Sequence, residues 1–433
     1  QFQPSSLGIT FSCKEGTKIE IDVYFATYKK NINNDDQSSN YLRQEHTKRI
    51  SLNVDTISSN PHPVENTNAV IKSKLRKKDQ FYIVTVWLVN NSPNSGGGEL
   101  VEKIIYQPKI TAQSNQDYFL PVGTSDQLNR DEDTSSNSLL YRNKKAFCRG
   151  HGCAGDWQLN QDGNCKIVFS NLFPHHEINP IVHTDLKDTE NKIDLSFLGN
   201  SRLNENEVDA KENIISNLKT FINDYSQWIE NTKNKIDNLE GIFQETANLH
   251  IEKCSTSLKR MSDGIAFLED NPQALFAFRL ANYAMLLQQI HGSLESRDLS
   301  TEFVNPKPED GGNRKWRPFQ LAFLLLNVRG IPVSSEYDKN EAEIVDLIWF
   351  PTGGGKTEAY LGVAAYSIIM SRFQNGDDCG TEVIMRYTLR LLTAQQFERA
   401  SCLILALEYM RNKGFFKNES IQNSEKKFFS GLW

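Results

Sequence analysis

The segment LIWFPTGGGKTEAYLG (347–362) limits the possible folds of this chain more than any other stretch of its 433 residues. It consists of an apolar run, three glycines, a Lys-Thr pair and a segment of helical character. Glycines allow the backbone N–H groups of a loop to turn inward, where they bind phosphate together with the N-terminus of the next helix. The pattern predicts a strand over 344–350, a phosphate-binding loop and a helix over 356–371.

The loop is predicted to bind ATP and Mg²⁺. Lys356, the candidate catalytic residue, would reach the β- and γ-phosphates, and the Thr357 hydroxyl would bind Mg²⁺. The expected cofactor contacts come from Thr352, Gly353, Gly354, Gly355, Lys356 and Thr357. Superfamily-2 helicases commonly have Ala-x-x-Gly-x-Gly-Lys-Thr at this point, and Phe350 replaces the alanine here. An incidental glycine turn is the alternative.

A segment upstream of the loop points to the same class of protein. WRPFQLAFLLLN (316–327) resembles the adenine-binding Q motif of superfamily-2 ATPases. Arg317 and Gln320 are the base-reading candidates, because an amide can donate one hydrogen bond to adenine and accept another. A helix start with Gln320 exposed to solvent is the alternative.

A segment downstream of the loop is placed like helicase motif Ia, which binds a nucleic-acid backbone through polar residues and a helix N-terminus. It is VIMRYTLRLLTAQQFERA (383–400), and its nucleic-acid-binding candidates are Thr388, Arg390, Thr393 and Gln395. The alternative is an ordinary β-to-α turn with Arg390 in a surface ion pair. Glu358 is expected to cap its helix or to form a pair within the first turn.

Changes in residue composition and hydrophobic periodicity divide the chain into three regions. We expect a β-rich N-terminal domain over 1–200, a helical connector over 203–304, and the N-terminal part of a first RecA-like helicase lobe over 305–433. The predicted fold class is therefore an incomplete α/β RecA-like P-loop lobe preceded by a helical connector and a β-rich domain. Further predicted strands lie at 8–13, 18–30, 80–91, 101–111 and 381–387. Predicted helices lie at 208–229, 245–268, from Asn271-Pro272 onward, at 318–327 and at 393–412. Predicted loops and turns lie at 31–40, 93–99 and 124–138.

Composition restricts the location and the partners. The net charge of −6 argues against a compact basic domain and leaves room for a local basic groove. Seven unevenly spaced cysteines favour a reducing cytoplasm, and we find no apolar run long enough to span a membrane.

Cys148, His151 and Cys153 lie close together in sequence, and Cys165, His175, His176 and His183 follow. Zinc binding and a Cys–His nucleophile pair are alternatives to a simple turn packed on Trp157.

Several segments together resemble the DrmA family, the helicase-like subunits of bacterial DISARM anti-phage systems. They are PSSLGITFSC, LLYRNKKAFCRGHGCAGDW, AFRLANYAMLLQQ, the Q-like segment, the phosphate loop and MRYTLRLLTAQQFERASCLILALE. The resemblance implies an ATP-dependent motor that engages DNA and a DrmB-like partner subunit. It also implies a longer protein, which agrees with the missing initial methionine. The acidic motif that hydrolysis needs does not follow the loop, so we expect no hydrolysis by this chain alone. A nucleotide-gated DNA-binding scaffold and a structural interaction protein are the rival interpretations.

Overall fold

The computed structural model describes residues 5–31, 40–54, 61–78, 81–92, 100–114, 117–122, 131–175, 177, 207–292, 314–331, 343–348, 354–374, 380–386, 390–422 and 424–431. The chain separates into two compact units, Gln1–Asn179 and Pro180–Trp433. Among the described residues, no helix is both long enough and apolar enough to cross a membrane.

The first unit is a sandwich of two five-stranded antiparallel sheets. The first sheet has the order β4-β5-β6-β1-β8 and the second has the order β3-β2-β7-β10-β9. Its strands are β1 (Ser6–Lys14), β2 (Lys18–Asn31), β3 (Asn40–Asn53), β4 (His62–Pro63), β5 (Ala69–Lys78), β6 (Phe81–Asn90), β7 (Tyr106–Ser114), β8 (Cys148–His151), β9 (Ala154–Leu159) and β10 (Cys165–Asn171).

The period of two along each strand explains this core. Alternate residues such as Ile9 and Phe11 on β1, Ile21 and Val23 on β2, and Val84 on β6 are fully buried between the sheets. Their neighbours point away from the core because successive side chains of a strand lie on opposite faces. Burial of one face of each sheet is therefore what holds the unit together.

The β-rich character predicted for 8–13, 18–30 and 80–91 is confirmed by β1, β2 and β6. The strand predicted at 101–111 is partly wrong, since a short helix α1 (Leu100–Lys103) comes before β7. The loop predicted at 124–138 is wrong over its last residues, which begin helix α2 (Glu132–Leu140). The Asp131 carboxylate caps this helix by accepting from the Thr134 N–H at 2.7 Å, and such caps favour a helix at a polar sequence. The turn predicted at 93–99 lies outside the described residues.

The second unit is mostly helical. Its helices are α3 (Glu207–Lys233), α4 (Gly241–Asp270), α5 (Pro272–Gly292), α6 (Pro318–Asn327), α7 (Lys356–Gln374), α8 (Arg390–Asn412) and α9 (Glu419–Gln422). The helices predicted at 208–229, 245–268, 318–327, 356–371 and 393–412 are confirmed. So is the helix predicted to start at Asn271-Pro272, because the Asn271 side chain accepts from the Ala274 N–H at 2.9 Å.

Helix α5 lies at the centre of this unit. Every residue from Ala277 to Gln288 is buried, so the helix has no solvent-facing side along that stretch. Helices α3, α4, α6, α7 and α8 contribute to the same hydrophobic core. Two fully buried side chains, Phe278 of α5 and Tyr366 of α7, are among the largest in it.

The parallel sheet predicted for this unit does not appear among the described residues. The described parts of its two predicted strands, 344–348 and 381–386, have no strand hydrogen bonds, so these two predictions are wrong. Apolar side chains in both segments are exposed, with Val345 93% and Ile384 81% exposed. An extended segment becomes a strand only when a neighbour takes up its N–H and C=O groups, and no described segment does so here.

Candidate nucleotide site

The segment before α6 is fixed by a buried tryptophan. The Trp316 indole N–H donates to Asn282 Oδ1 of α5 at 2.6 Å, and the residue is 5% exposed. The ring also lies against Gly362 of α7, where an added Cβ would come within 2.8 Å of it. A buried indole needs a partner for its N–H, and the close packing on glycine excludes a larger residue. Trp316 thus joins the start of α6 to both α5 and α7.

The first turn of α6 places the Q-like residues. Arg317 is extended and precedes Pro318, whose fixed φ and missing N–H suit the first helical position. Gln320 lies one turn into the helix and is 4% exposed, and its Oε1 accepts from the Arg317 N–H at 2.8 Å. The alternative of a solvent-exposed Gln320 is therefore wrong.

The same two side chains contact the described end of the glycine loop. Gln320 Nε2 donates to the Gly355 carbonyl at 2.7 Å, and Arg317 Nη1 donates to the Gly354 carbonyl at 2.5 Å. Gly355 has a φ of +87°, a backbone conformation that favours glycine. A Cβ at Gly355 would come within 2.6 Å of Gln320 Nε2, so the side chain of Gln320 occupies the space that a larger residue would need.

The hydrogen-bonding capacity of Gln320 is half used. A carboxamide has two donor hydrogens on nitrogen and two acceptor lone pairs on oxygen. One hydrogen goes to Gly355 and one lone pair goes to Arg317. The second donor hydrogen and the second lone pair have no partner among the described residues, and they are the pair of functions that the N6/N7 edge of adenine requires.

Lys356 and Thr357 begin α7, immediately after the described glycines. Both side chains are half-buried, and the Thr357 hydroxyl lies 3.0 Å from the Tyr360 hydroxyl. Helix α7 is anchored further along by Tyr366, whose hydroxyl donates to the Val328 carbonyl at 3.1 Å and whose pKa is raised by burial. Thr352 and Gly353 lie outside the described residues.

An ion pair that the sequence did not suggest connects α7 to α8. Glu358 pairs with Arg399, and burial lowers the pKa of the Arg399 guanidinium. Of the two roles expected of Glu358, the pair within the first turn is wrong, because the partner lies on the next helix; the helix cap stays a prediction. Only two features of the sequence indicated this contact. One is the acidic residue Glu358 in the first turn of α7, and the other is Arg399 near the end of the motif Ia-like segment.

The nucleic-acid candidates are placed only in part. Arg390 is the first residue of α8, and its side chain lies outside the described part of the chain, as does Thr388. Thr393 is half-buried and Gln395 is exposed, both in the first turns of α8. Their role in binding DNA stays a prediction.

The cysteine and histidine residues of the first unit do not form a metal site where they are described. No group of three potential ligands lies together among the described residues. The His151 Nε2 lies 2.7 Å from the Thr10 hydroxyl, and the Cys153 thiol donates to the Gly8 carbonyl. Burial raises the pKa of Cys148 to about 12, which keeps its thiol protonated and weakens it as a nucleophile. His176 and His183 lie outside the described residues.

Comparison with known proteins shows which proteins this chain is similar to. The DISARM protein DrmA of Bacillus paralicheniformis is 33% identical over 361 residues, which are 82% of this chain and 31% of the length of the relative. The chain therefore spans about a third of that protein. No protein-family model matches the chain. The resemblance to DrmA that the motifs predicted is confirmed.

Proposed function

We propose that this DrmA-like chain contains the ATP-binding segment of a helicase-like, DNA-engaging subunit of a DISARM anti-phage defence system. The main support is the joint placement of two separate motifs. The Q-like residues Arg317 and Gln320 donate hydrogen bonds to the glycine loop. One donor and one acceptor of the Gln320 amide have no partner among the described residues, and we propose that they bind the adenine base. An incidental glycine turn would not need a buried glutamine and a buried tryptophan to hold it.

The residues present fit a nucleotide with a bound Mg²⁺. Bound ATP would supply the phosphoanhydride bond whose cleavage releases the energy for work on DNA. Gln320 would orient the base, and Lys356 would neutralise phosphate charge as the candidate catalytic residue. Thr357, as a hydroxyl at the start of α7, would bind the metal ion. The positive end of α7 favours the same negative charge.

Contacts with DNA and with a second subunit extend this proposal. Thr388, Arg390, Thr393 and Gln395 would contact the DNA backbone from the N-terminal end of α8. The Glu358–Arg399 ion pair joins α7 to α8, so a change at the nucleotide loop would act directly on the helix that contains these candidates. A DrmB-like subunit would be the partner, and the cytoplasm would be the location.

Nucleotide binding is tested first on the chain itself. A fluorescent ATP analogue with Mg²⁺ is titrated into the 433-residue chain and into Lys356→Ala. Lys233→Ala, which changes an exposed lysine at the end of α3, is the matched control. We expect at least about a tenfold loss of affinity for Lys356→Ala, since a lost charge-assisted contact costs about 1.5–3 kcal/mol, and none for the control. Equal affinities in all three proteins would refute the phosphate site.

Turnover separates the motor from the gated scaffold. The full-length protein is assayed for ATP hydrolysis with no DNA, with single strands and with duplex, beside Lys356→Ala. Hydrolysis stimulated by DNA and lost in the variant supports the motor. Nucleotide binding without hydrolysis in any of these conditions favours the nucleotide-gated scaffold.

A further inference from the structure

The outward face of the first sheet is basic although the chain is acidic. Strands β5, β6, β1 and β8 contain no aspartate or glutamate, whereas the whole chain has a net charge of −6. After Val70, the outward positions of β5 are Lys72, Lys74, Arg76 and Lys78, and the first three of these are exposed. Alternate positions of a strand are about 6.7 Å apart, so these side chains form a regular row of positive charge.

Three cations of the row, Lys72, Lys74 and Arg76, form no ion pair with a carboxylate within the described ranges. On the second sheet, by contrast, Arg49 pairs with Asp22 and Arg43 pairs with Glu45. Row cations without acidic neighbours leave a positive potential over the sheet, and such a potential attracts a polyanion.

Aromatic side chains lie beside the row on β6. Trp87 is paired in register with Lys72, and Phe81 is paired with Lys78. On the other side of Trp87 lies Gly8 of β1, where an added Cβ would come within 2.5 Å of the indole. The indole therefore lies across Gly8, and its centroid is 6.2 Å from that of the His151 ring on β8.

We propose that this face, defined by Lys72, Lys74, Arg76 and Trp87, binds single-stranded nucleic acid. A row of cations beside an aromatic platform is the combination that binds single strands without sequence preference: the cations contact phosphates and the ring stacks on a base. Trp87 occupies the position for stacking, and β5 follows the backbone. The inference rests on the proposed function only in the choice of DNA as the nucleic acid, because the face requires neither the glycine loop nor ATP.

The charge row is tested by fluorescence anisotropy with fluorescein-labelled oligothymidylate and no nucleotide. The 433-residue chain is compared with the triple variant Lys72→Glu, Lys74→Glu, Arg76→Glu. The control triple Lys233→Glu, Lys235→Glu, Lys253→Glu changes exposed lysines of the second unit and gives the same net charge. We expect at least about a tenfold loss of affinity in the sheet variant only, and a slope of log affinity against log salt that is smaller by about 2, from three phosphates at about 0.7 each. Equal losses in both triples would overturn the proposal.

The platform is tested separately. Trp87→Ala is expected to weaken binding about fivefold or more, and Trp87→Phe is expected to retain most of the affinity, because stacking needs an aromatic face. Duplex DNA and polyglutamate are titrated in parallel. If polyglutamate binds as tightly as the oligonucleotide and Trp87→Ala has no effect, the face is a site for an acidic protein and the proposal fails. If near-UV circular dichroism shows that Trp87→Ala does not fold, the triple glutamate variant of Lys72, Lys74 and Arg76 still tests whether this face binds DNA.

One further variant and the glutamate triple distinguish this face from the α8 site and from simple protection of a sheet edge. Gln395→Ala reports on the site proposed at α8: loss of binding in Gln395→Ala, with no loss in the sheet triple, would contradict the sheet face. All of these titrations contain no nucleotide, so failure of the proposed ATP site leaves their result unchanged. If the lysines serve only to keep strand β5 from pairing with other chains, the triple glutamate variant will keep full DNA affinity, because glutamates protect an edge equally well.

Discussion

Gly355 is the position where the proposed nucleotide loop is most sensitive to a single methyl group. In Gly355→Ala, the positive φ alone costs about 1–2 kcal/mol for an L-residue. The new Cβ would also lie 2.6 Å from Gln320 Nε2. The Gln320 amide can move away only by giving up its hydrogen bonds to Gly355 and Arg317, so this overpacking costs about 1–3 kcal/mol more. We therefore expect the free energy of unfolding of the second unit to fall by about 2–5 kcal/mol.

Gly414 provides a matched control for this substitution. It has a φ of +80°, and an added Cβ there would have its nearest neighbour at 3.6 Å. Gly414→Ala should lower the free energy of unfolding only by the cost of the positive φ, about 1–2 kcal/mol. The assay is urea unfolding followed by the helical circular dichroism signal, which comes mainly from the second unit.

A double-mutant cycle isolates the clash. In a Gln320→Ala background the side chain that the methyl group meets is gone, so Gly355→Ala should cost about as much as Gly414→Ala. The predicted clash is refuted if Gly355→Ala costs no more than Gly414→Ala in the native background. It is equally refuted if the cost of Gly355→Ala does not change when Gln320 is removed.

Two further predictions concern the ion pair and a buried thiol. Arg399→Met should lower the free energy of unfolding by about 1 kcal/mol, a value between those of exposed and buried ion pairs. A double-mutant cycle with Glu358→Gln should give a coupling energy of similar size, and a coupling energy of zero would contradict a stabilising ion pair. Burial raises the pKa of Cys148 from 9.0 to about 12, so the unfolded chain loses this proton first as the pH rises. This contribution to stability is intact below pH 9 and is lost between pH 9 and pH 12, by up to about 1.4 kcal/mol per pH unit. Urea unfolding at several alkaline pH values should therefore show native protein losing stability faster than Cys148→Ala, and parallel losses would exclude the mechanism.

The helices were predictable from the sequence because their signals are local. An apolar residue every three or four positions marked α3, and the Asn271-Pro272 pair marked the start of α5 through a cap that the structure contains. The strands β3 and β5 were missed for the opposite reason. Their outward positions hold charged residues, and β5 has only Ala69, Ile71 and Leu75 as apolar residues at alternate positions, so the period of two was hidden.

The candidate site was predictable as a set of motifs and not as a set of contacts. Glycine spacing and the Q-like segment indicated the same region of the chain, but nothing local indicates that Gln320 donates to Gly355 or that Glu358 pairs with Arg399. Those contacts depend on how α6, α7 and α8 pack around α5. The predicted parallel sheet, which does not appear in the described ranges, shows the same limit, since strand propensity at 344–348 and 381–386 gives no information on whether a neighbouring strand is present.

The complete burial of α5 makes this helix an internal reference for measurements of hydrogen exchange. Because the stretch from Ala277 to Gln288 has no exposed side, its amides can reach solvent only when the whole unit opens. Their exchange rates therefore measure global unfolding, whereas amides at the start of α7 also respond to local opening of the loop. The difference between the two sets of rates, recorded in one experiment, would distinguish a ligand that tightens the loop from one that merely stabilises the unit.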